Sequence, residues 1–180
     1  MNTSRIKINQ QENETSIIIF PIKNVLKSRL LLAWLIVWTL CGIIAFSQFF
    51  SNMSKEEKLT MAIWMAFWVY FEYKISTAFT WRKSGYEKIS VTNEQLTYCQ
   101  FIGSKETKVE YLLDNITELK VYEFGKNHFS DSFQSSYWVQ GNECILFTYF
   151  GAKKGMGLQL SKEESNQVFQ AINKKLKKRK

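Results

Sequence analysis

The chain of 180 residues has one histidine, His128, which is the first residue to consider for catalysis. It lies three residues before Asp131 in the segment GKNHFSDSF, so the residue types of a hydrolytic triad are present. Proximity along the chain does not make a triad, however, and the sequence has no nucleophile elbow. We therefore predict that the chain is not an enzyme and needs no cofactor.

Metal, redox and nucleotide chemistry are not indicated either. The cysteines Cys41, Cys99 and Cys144 are far apart, so they form neither a C-x-x-C motif nor a disulfide framework. The glycines between residues 151 and 157 do not have the spacing of a phosphate-binding loop. We predict no metal site and a reducing compartment.

Two phenylalanines in the same segment as His128 are candidate partner contacts. Phe129 and Phe133 are predicted to lie on a long loop, and apolar residues on such loops often contact another protein. Alternatively, the two rings fold back onto their own domain. The sequence leaves both interpretations open.

The net charge of +8 is concentrated at the ends of the chain. Residues 1–29 carry +3 and residues 174–180 carry +6, whereas residues 85–173 carry −3. A cationic run beside anionic lipid gains about 1 kcal/mol per lysine or arginine, and the alternative is a solvated helix end. The candidate membrane-surface contacts are Lys174, Lys175, Lys177, Lys178, Arg179 and Lys180. Nucleic acid is not a predicted partner, because aromatic and basic residues do not interleave.

The central part of the chain is predicted to cross a membrane twice. No charged residue occurs from residue 30 to 54, which is long enough for a helix over about 30–50 to cross a core of about 30 Å. A second apolar stretch, 59–79, carries Glu72 and Lys74. The short connection predicts an antiparallel hairpin over residues 30–79.

Lysine and arginine counts predict the orientation of this hairpin. Five of these residues precede the first helix and three follow the second, whereas the connection has two that are offset by two glutamates. Cytoplasmic flanks are enriched in lysine and arginine, so both termini are expected in the cytoplasm. A signal peptide is the competing interpretation, but 29 mostly polar residues precede the apolar stretch.

Glu72 is a candidate partner contact rather than part of a proton path. An ionisable residue within a membrane segment often marks transport, but no second acid or histidine accompanies it in these two helices. We expect it near the cytoplasmic end, paired with Lys27 or Arg29 or facing a partner helix.

After Gly85 the apolar residues alternate with period two, which predicts β-strands. Seven strands are predicted, over residues 88–91, 95–101, 107–111, 116–124, 136–140, 143–150 and 155–160. Ser161 and Glu164 then form a capping box for an amphipathic helix, whose apolar stripe is Val168, Phe169, Ile172 and Leu176. A further β-prone run, residues 16–20, either adds an edge strand or lies free.

This succession resembles a pleckstrin-homology-like domain. The residues that carry the resemblance are GYEKISVTNEQLTY, VEYLLDNITELKVYEF and GLQLSKEESNQVFQAINKKL. It implies an α+β fold for residues 85–180: a seven-stranded antiparallel barrel capped by the C-terminal amphipathic helix and ending in the polybasic tail. The first hairpin has Glu87 and Glu94 but no arginine, so the phosphoinositide site of the family is not carried over.

The whole arrangement is similar to small multi-pass membrane proteins of the bacterial inner membrane, with residues 1–29 as a cytoplasmic N-terminal segment. The leading hypothesis is an adaptor or accessory subunit of a membrane complex. Its partners would be the lipid bilayer and either another membrane protein or further copies of the chain. The alternative hypothesis is a sensor or binder of anionic lipid headgroups.

Overall fold

The computed structural model describes residues 5–122 and 140–178, which form an α+β protein. The helices of this part of the chain are α1 (Val25–Ser47), α2 (Lys55–Ser84) and α3 (Lys162–Lys178). Its strands are β1 (Ile6–Gln10), β2 (Thr15–Ile19), β3 (Tyr86–Val91), β4 (Gln95–Ile102), β5 (Lys105–Leu112), β6 (Ile116–Val121), β7 (Glu143–Tyr149) and β8 (Ala152–Leu158).

The strands form two antiparallel sheets, one of five strands in the order β1-β2-β3-β4-β5 and one of three in the order β6-β7-β8. Six of the seven predicted strands are present, with ends shifted by a few residues. The other, 136–140, lies outside the described residues except for Gln140. The described strands are therefore arranged as two sheets rather than as one closed barrel.

The five-stranded sheet contains strands from before and from after the helical hairpin in the chain. β2 precedes α1 and β3 follows α2, yet Ile17 pairs with Ile89 and Ile19 pairs with Glu87. The β-prone run at residues 16–20 thus joins the sheet, and it lies inside it because β1 forms the edge. The folded domain consequently includes residues before the hairpin as well as those after it.

A single hydrophobic core joins the two sheets and α3. Alternate residues of β2 and β3 point into this core, and residues of β7, β8 and α3 meet them from the other side. The predicted capping box of α3 is confirmed: Ser161 N donates to Glu164 Oε2 over 2.8 Å, and Glu164 N donates to Ser161 Oγ over 3.2 Å. Val168 and Ile172, from the predicted stripe, are fully buried.

Helices α1 and α2 lie antiparallel and in contact. Thr39 of α1 meets Glu72 of α2, and Trp68 Nε1 donates to the carbonyl of Trp38 over 3.0 Å. A side chain at Gly42 would overlap the Trp68 ring, so the glycine permits this close approach. Among the described helices, one is long and apolar enough to cross a membrane by length and composition, over Val25–Phe50; α2 does not meet that criterion.

Helix α2 continues beyond its apolar part into the folded domain. Its last turns bury Ile75, Ala78, Trp81 and Arg82, and it contacts β4. β3 starts two residues after the helix ends, following Gly85, where a side chain would collide with the Trp81 ring. The hairpin and the domain are therefore packed together rather than joined by a free linker.

Candidate functional site

Glu72 lies at the interface of the two long helices. Thr39 Oγ1 donates to Glu72 Oε1 over 2.9 Å. Thr39 is twelve residues from Lys27 along α1, which corresponds to about 18 Å. Glu72 therefore faces the neighbouring helix of its own chain, near the middle of α1, rather than the basic flank where we expected it.

Part of this helix interface is left unsatisfied. Glu72 Oε2 and Trp38 Nε1 are buried without a hydrogen-bond partner among the described residues. Burying an acceptor or a donor without a partner is costly. The contact of Glu72 with a partner helix, expected from the sequence, stays a prediction.

A network of charged residues ties the N-terminal strand to the start of α3. Arg5 donates from Nε and Nη2 to the two oxygens of Glu164, over 2.7 and 2.6 Å. It also donates to the carbonyls of Phe20 and Gln159. Arg82, buried at the end of α2, donates to Gln159 Oε1 over 3.1 Å. These contacts fix the end of α2 against β1 and α3.

The Arg5 contact also shifts the titration of its partner. Burial raises the pKa of Glu164, but hydrogen bonds from Arg5 and Ser161 and the charge of Arg5 outweigh burial, so the pKa is lowered overall. The ion pair is thus maintained at neutral pH.

Glu87 is a fully buried carboxyl group between the two sheets. The Tyr98 hydroxyl donates to Oε1, and the backbone N–H of Leu158 donates to Oε2 over 2.8 Å. Burial raises the pKa of Glu87 to about 7, against the lowering effect of these hydrogen bonds, and the charge of Glu143 adds to the rise. Both oxygens are held by donors of the protein, so the group is placed to link the sheets rather than to attack a substrate.

The pKa values of two groups near Glu87, Tyr98 and Glu143, are also raised. Burial, together with the Glu87 carboxylate, raises the pKa of the Tyr98 hydroxyl. Burial also raises the pKa of Glu143, which Lys154 partly offsets. The sequence contained a signal for this cluster that we did not use, because Glu87 alternates with Ile89 and Val91 and so shares their inward face.

The lysines at the end of α3 differ from one another. Lys174 and Lys177 are exposed, whereas Lys175 is buried and its amine donates to the carbonyl of Glu12 over 2.6 Å. Lys175 is therefore used within the fold. Of the other candidate surface contacts, the Lys178 side chain and residues Arg179 and Lys180 lie outside the described part of the chain.

The remaining candidates from the sequence also lie outside the described residues: His128, Phe129, Asp131 and Phe133 fall within 123–139. In the described ranges, 5–122 and 140–178, no group of three histidine, cysteine, aspartate or glutamate residues is arranged to hold a metal ion.

Comparison of the chain with protein-family models, curated proteins and solved structures finds no match.

Proposed function

We propose that the chain is a non-enzymatic integral membrane protein, in which α1 and α2 form a transmembrane hairpin that holds a pleckstrin-homology-like domain at the membrane surface. The domain acts as an adaptor or accessory subunit of a membrane complex. The observation that carries this proposal is the pairing of β2 with β3, because these neighbouring strands flank the hairpin on both sides.

This pairing supports an even number of membrane crossings. If α1 crosses the bilayer, β2 is left on the side where the chain entered. β3 can pair with β2 only if α2 brings the chain back to that side, since strands cannot pair across a bilayer. The sheet therefore ties the path of α2 to that of α1.

The orientation of the charged groups in α2 also favours a crossing. Glu72 is directed at Thr39 of α1 rather than at lipid, and Lys74 Nζ lies 5.7 Å from the centre of the Tyr70 ring. A lysine at this position can reach the interface along its aliphatic stem. The large apolar residues of α2 that remain exposed would then face lipid: Leu59, Ile63, Trp64, Phe67, Val69 and Phe71.

A retained hairpin fits the domain better than a cleaved signal sequence does. Cleavage after α1 would remove β1 and β2, and with them Ile17 and Ile19, which are fully buried in the core. Each loss of a buried isoleucine costs about 2 to 5 kcal/mol even when only the side chain is truncated. The domain would be left without part of its sheet and its core.

The arrangement of the domain is compatible with the proposed family. A larger and a smaller antiparallel sheet share one core with a C-terminal helix, which supports the resemblance of the sequence to a pleckstrin-homology-like domain. The lysine and arginine counts predict that both termini lie in the cytoplasm, and the expected location is the bacterial inner membrane.

The adaptor role is tested by extracting the full-length protein in mild detergent, followed by native mass determination and identification of proteins that co-purify. We expect a stoichiometric membrane-protein partner. Replacing Phe129 and Phe133 by serine should reduce the yield of that partner, whereas the control Phe150→Ser, at a residue that is 74% exposed, should not. Recovery of the chain alone or as a homo-oligomer that binds only lipid would contradict the accessory-subunit role.

A further inference from the structure

The folded domain has a membrane-proximal and a distal end. At the membrane-proximal end, Ile19 pairs with Glu87. Ile19 lies six residues before α1 begins at Val25, and Glu87 lies three residues after α2 ends at Ser84. At the distal end, Thr15 pairs with Val91, so the turn between β1 and β2 lies away from both helices. This polarity depends on the transmembrane hairpin proposed above.

Helix α3 runs from the membrane-proximal end to the distal end. Glu164, in its first turn, binds Arg5, whose neighbour Ile6 pairs with Ile19. Lys175, near its last turn, binds the carbonyl of Glu12 in the β1–β2 turn. The two positions are eleven residues apart, or about 16 Å along the helix. The cationic end of α3 therefore lies away from the membrane.

One face of α3 carries the exposed cations at this end. Gln170, Asn173, Lys174 and Lys177 recur at i, i+3, i+4 and i+7, which places them on one side of the helix. They line an open surface depression of about 420 Å³. The core-facing residues of α3, Val168 and Ile172 among them, lie on another side. We call these four residues the distal cationic face.

We propose that the distal cationic face docks an acidic segment of a protein that is located in the aqueous compartment. The bilayer is a poor partner, because Lys175 lies about 16 Å along the helix from Glu164 at the membrane-proximal end, and this spacing is about twice the Debye length of about 8 Å at physiological ionic strength. Lysine ammonium groups and the amides of Asn173 and Gln170 are hydrogen-bond donors that suit carboxylates.

The test uses the full-length protein in lipid nanodiscs and a fluorescent polyglutamate peptide as the probe. Binding is measured by anisotropy at about 0.15 M salt, in discs of phosphatidylcholine alone and in discs that also contain phosphatidylserine. The double variant Lys174→Gln, Lys177→Gln is compared with the charge-matched control Lys105→Gln, Lys120→Gln, whose lysines are exposed elsewhere on the domain.

We expect the dissociation constant to rise about tenfold in the Lys174, Lys177 variant and to stay within about twofold in the control. We also expect the same affinity in both kinds of disc. Equal affinities of the variant and its control would overturn the proposal, as would loss of peptide binding in phosphatidylserine discs, because the cationic face would then lie on the bilayer. Tight binding of a single-stranded RNA oligonucleotide with no binding of the peptide would also overturn it.

This experiment separates the docking proposal from the anchor on which it rests. Failure of the wild-type chain to enter nanodiscs, measured by size-exclusion chromatography, would contradict the anchor. Entry into discs without peptide binding would contradict docking alone.

Discussion

The two ends of the domain use their charged residues in opposite ways. At the membrane-proximal end, Arg5, Arg82 and Glu87 are buried or half-buried and bind groups of the protein itself. At the distal end, Lys174 and Lys177 are exposed. Buried charged groups therefore join the elements of the fold near the hairpin, whereas the exposed Lys174 and Lys177 at the distal end are available to other molecules.

This difference follows from what each end has to connect. At the membrane-proximal end the termini of α2, β1 and α3 meet, and their polar groups need partners because water is excluded from the packed junction. At the distal end a single helix ends beside a turn, and the Lys175 amine donates to the carbonyl of Glu12 in that turn. Lys174 and Lys177, in contrast, are exposed.

The largest expected effect comes from opening the membrane-proximal junction. Trp81 is 1% exposed and packs where α2 enters the domain, so Trp81→Ala should lower the free energy of unfolding by about 3 to 5 kcal/mol. Chemical unfolding of the detergent-solubilised protein measures this. Trp64→Ala, at an exposed position of the same helix, should change the stability of the domain by less than about 1 kcal/mol. Equal losses of stability in the two variants would contradict the packing of Trp81 where α2 enters the domain.

Glu87 should make the stability of the domain depend on pH. Its pKa is raised to about 7 from 4.5, so the folded state binds the proton more tightly than the unfolded state. The contribution of Glu87 to the free energy of unfolding is then fully present below about pH 4.5 and is lost as the pH rises through 7. The loss is about 2 to 3 kcal/mol between pH 5 and 8. Unfolding at a series of pH values measures the slope.

Glu87→Gln should flatten most of this dependence. The matched control is Glu143→Gln, since the pKa of Glu143 is raised in the same direction but the residue is less buried. A wild-type stability that rises between pH 5 and 8 would show that Glu87 is not held as the structure places it.

Removing the Arg5 contact should have a smaller effect. Arg5→Gln should lower the free energy of unfolding by about 2 kcal/mol at neutral pH, because charged hydrogen bonds to Glu164 are lost. The pKa of Glu164 is lower in the folded state than in the unfolded state. The stabilisation that the ionised Glu164 gives the fold is therefore present above its unfolded pKa and is lost as the pH falls through its folded pKa. The effect of the substitution should therefore shrink in acid. Lys23→Gln, an exposed cation nearby in sequence, serves as the control.

The smallest effects are expected among the lysines of α3. Lys174→Gln and Lys177→Gln should each change the free energy of unfolding by less than about 0.5 kcal/mol. Lys175→Gln should cost about 1 kcal/mol, because its bond to Glu12 is lost. Thermal unfolding compares the three. Equal losses of stability in the three variants would contradict the different roles of these lysines, with Lys175 bound within the fold and Lys174 and Lys177 exposed.

The elements that local patterns encode were predictable from sequence. Six strands follow from period-two alternation, and α3 follows from Ser161 and Glu164. β1 was missed because it is an edge strand in which one residue, Ile6, is buried. The length of α2 was underestimated at both ends, since polar residues at its start belong to the Ser54 capping box and those at its end pack into the domain.

Features that depend on pairing between distant segments were not predictable in the same way. The contact of Glu72 with Thr39 requires the relative position of two helices, which no local pattern provides. Lys175 is buried because it binds the β1–β2 turn, at a residue 163 positions away in the chain. Composition predicted a uniform cationic tail, whereas tertiary structure distinguishes its members.

The central claim is that α1 and α2 both cross the membrane, and single-cysteine labelling tests it most directly. In a variant whose native cysteines are replaced by alanine, Asn52→Cys probes the connection between the helices and Lys153→Cys probes the domain, both at exposed positions. A membrane-impermeant maleimide should label the two cysteines from opposite sides of sealed vesicles. Labelling of both from the same side would contradict the hairpin anchor.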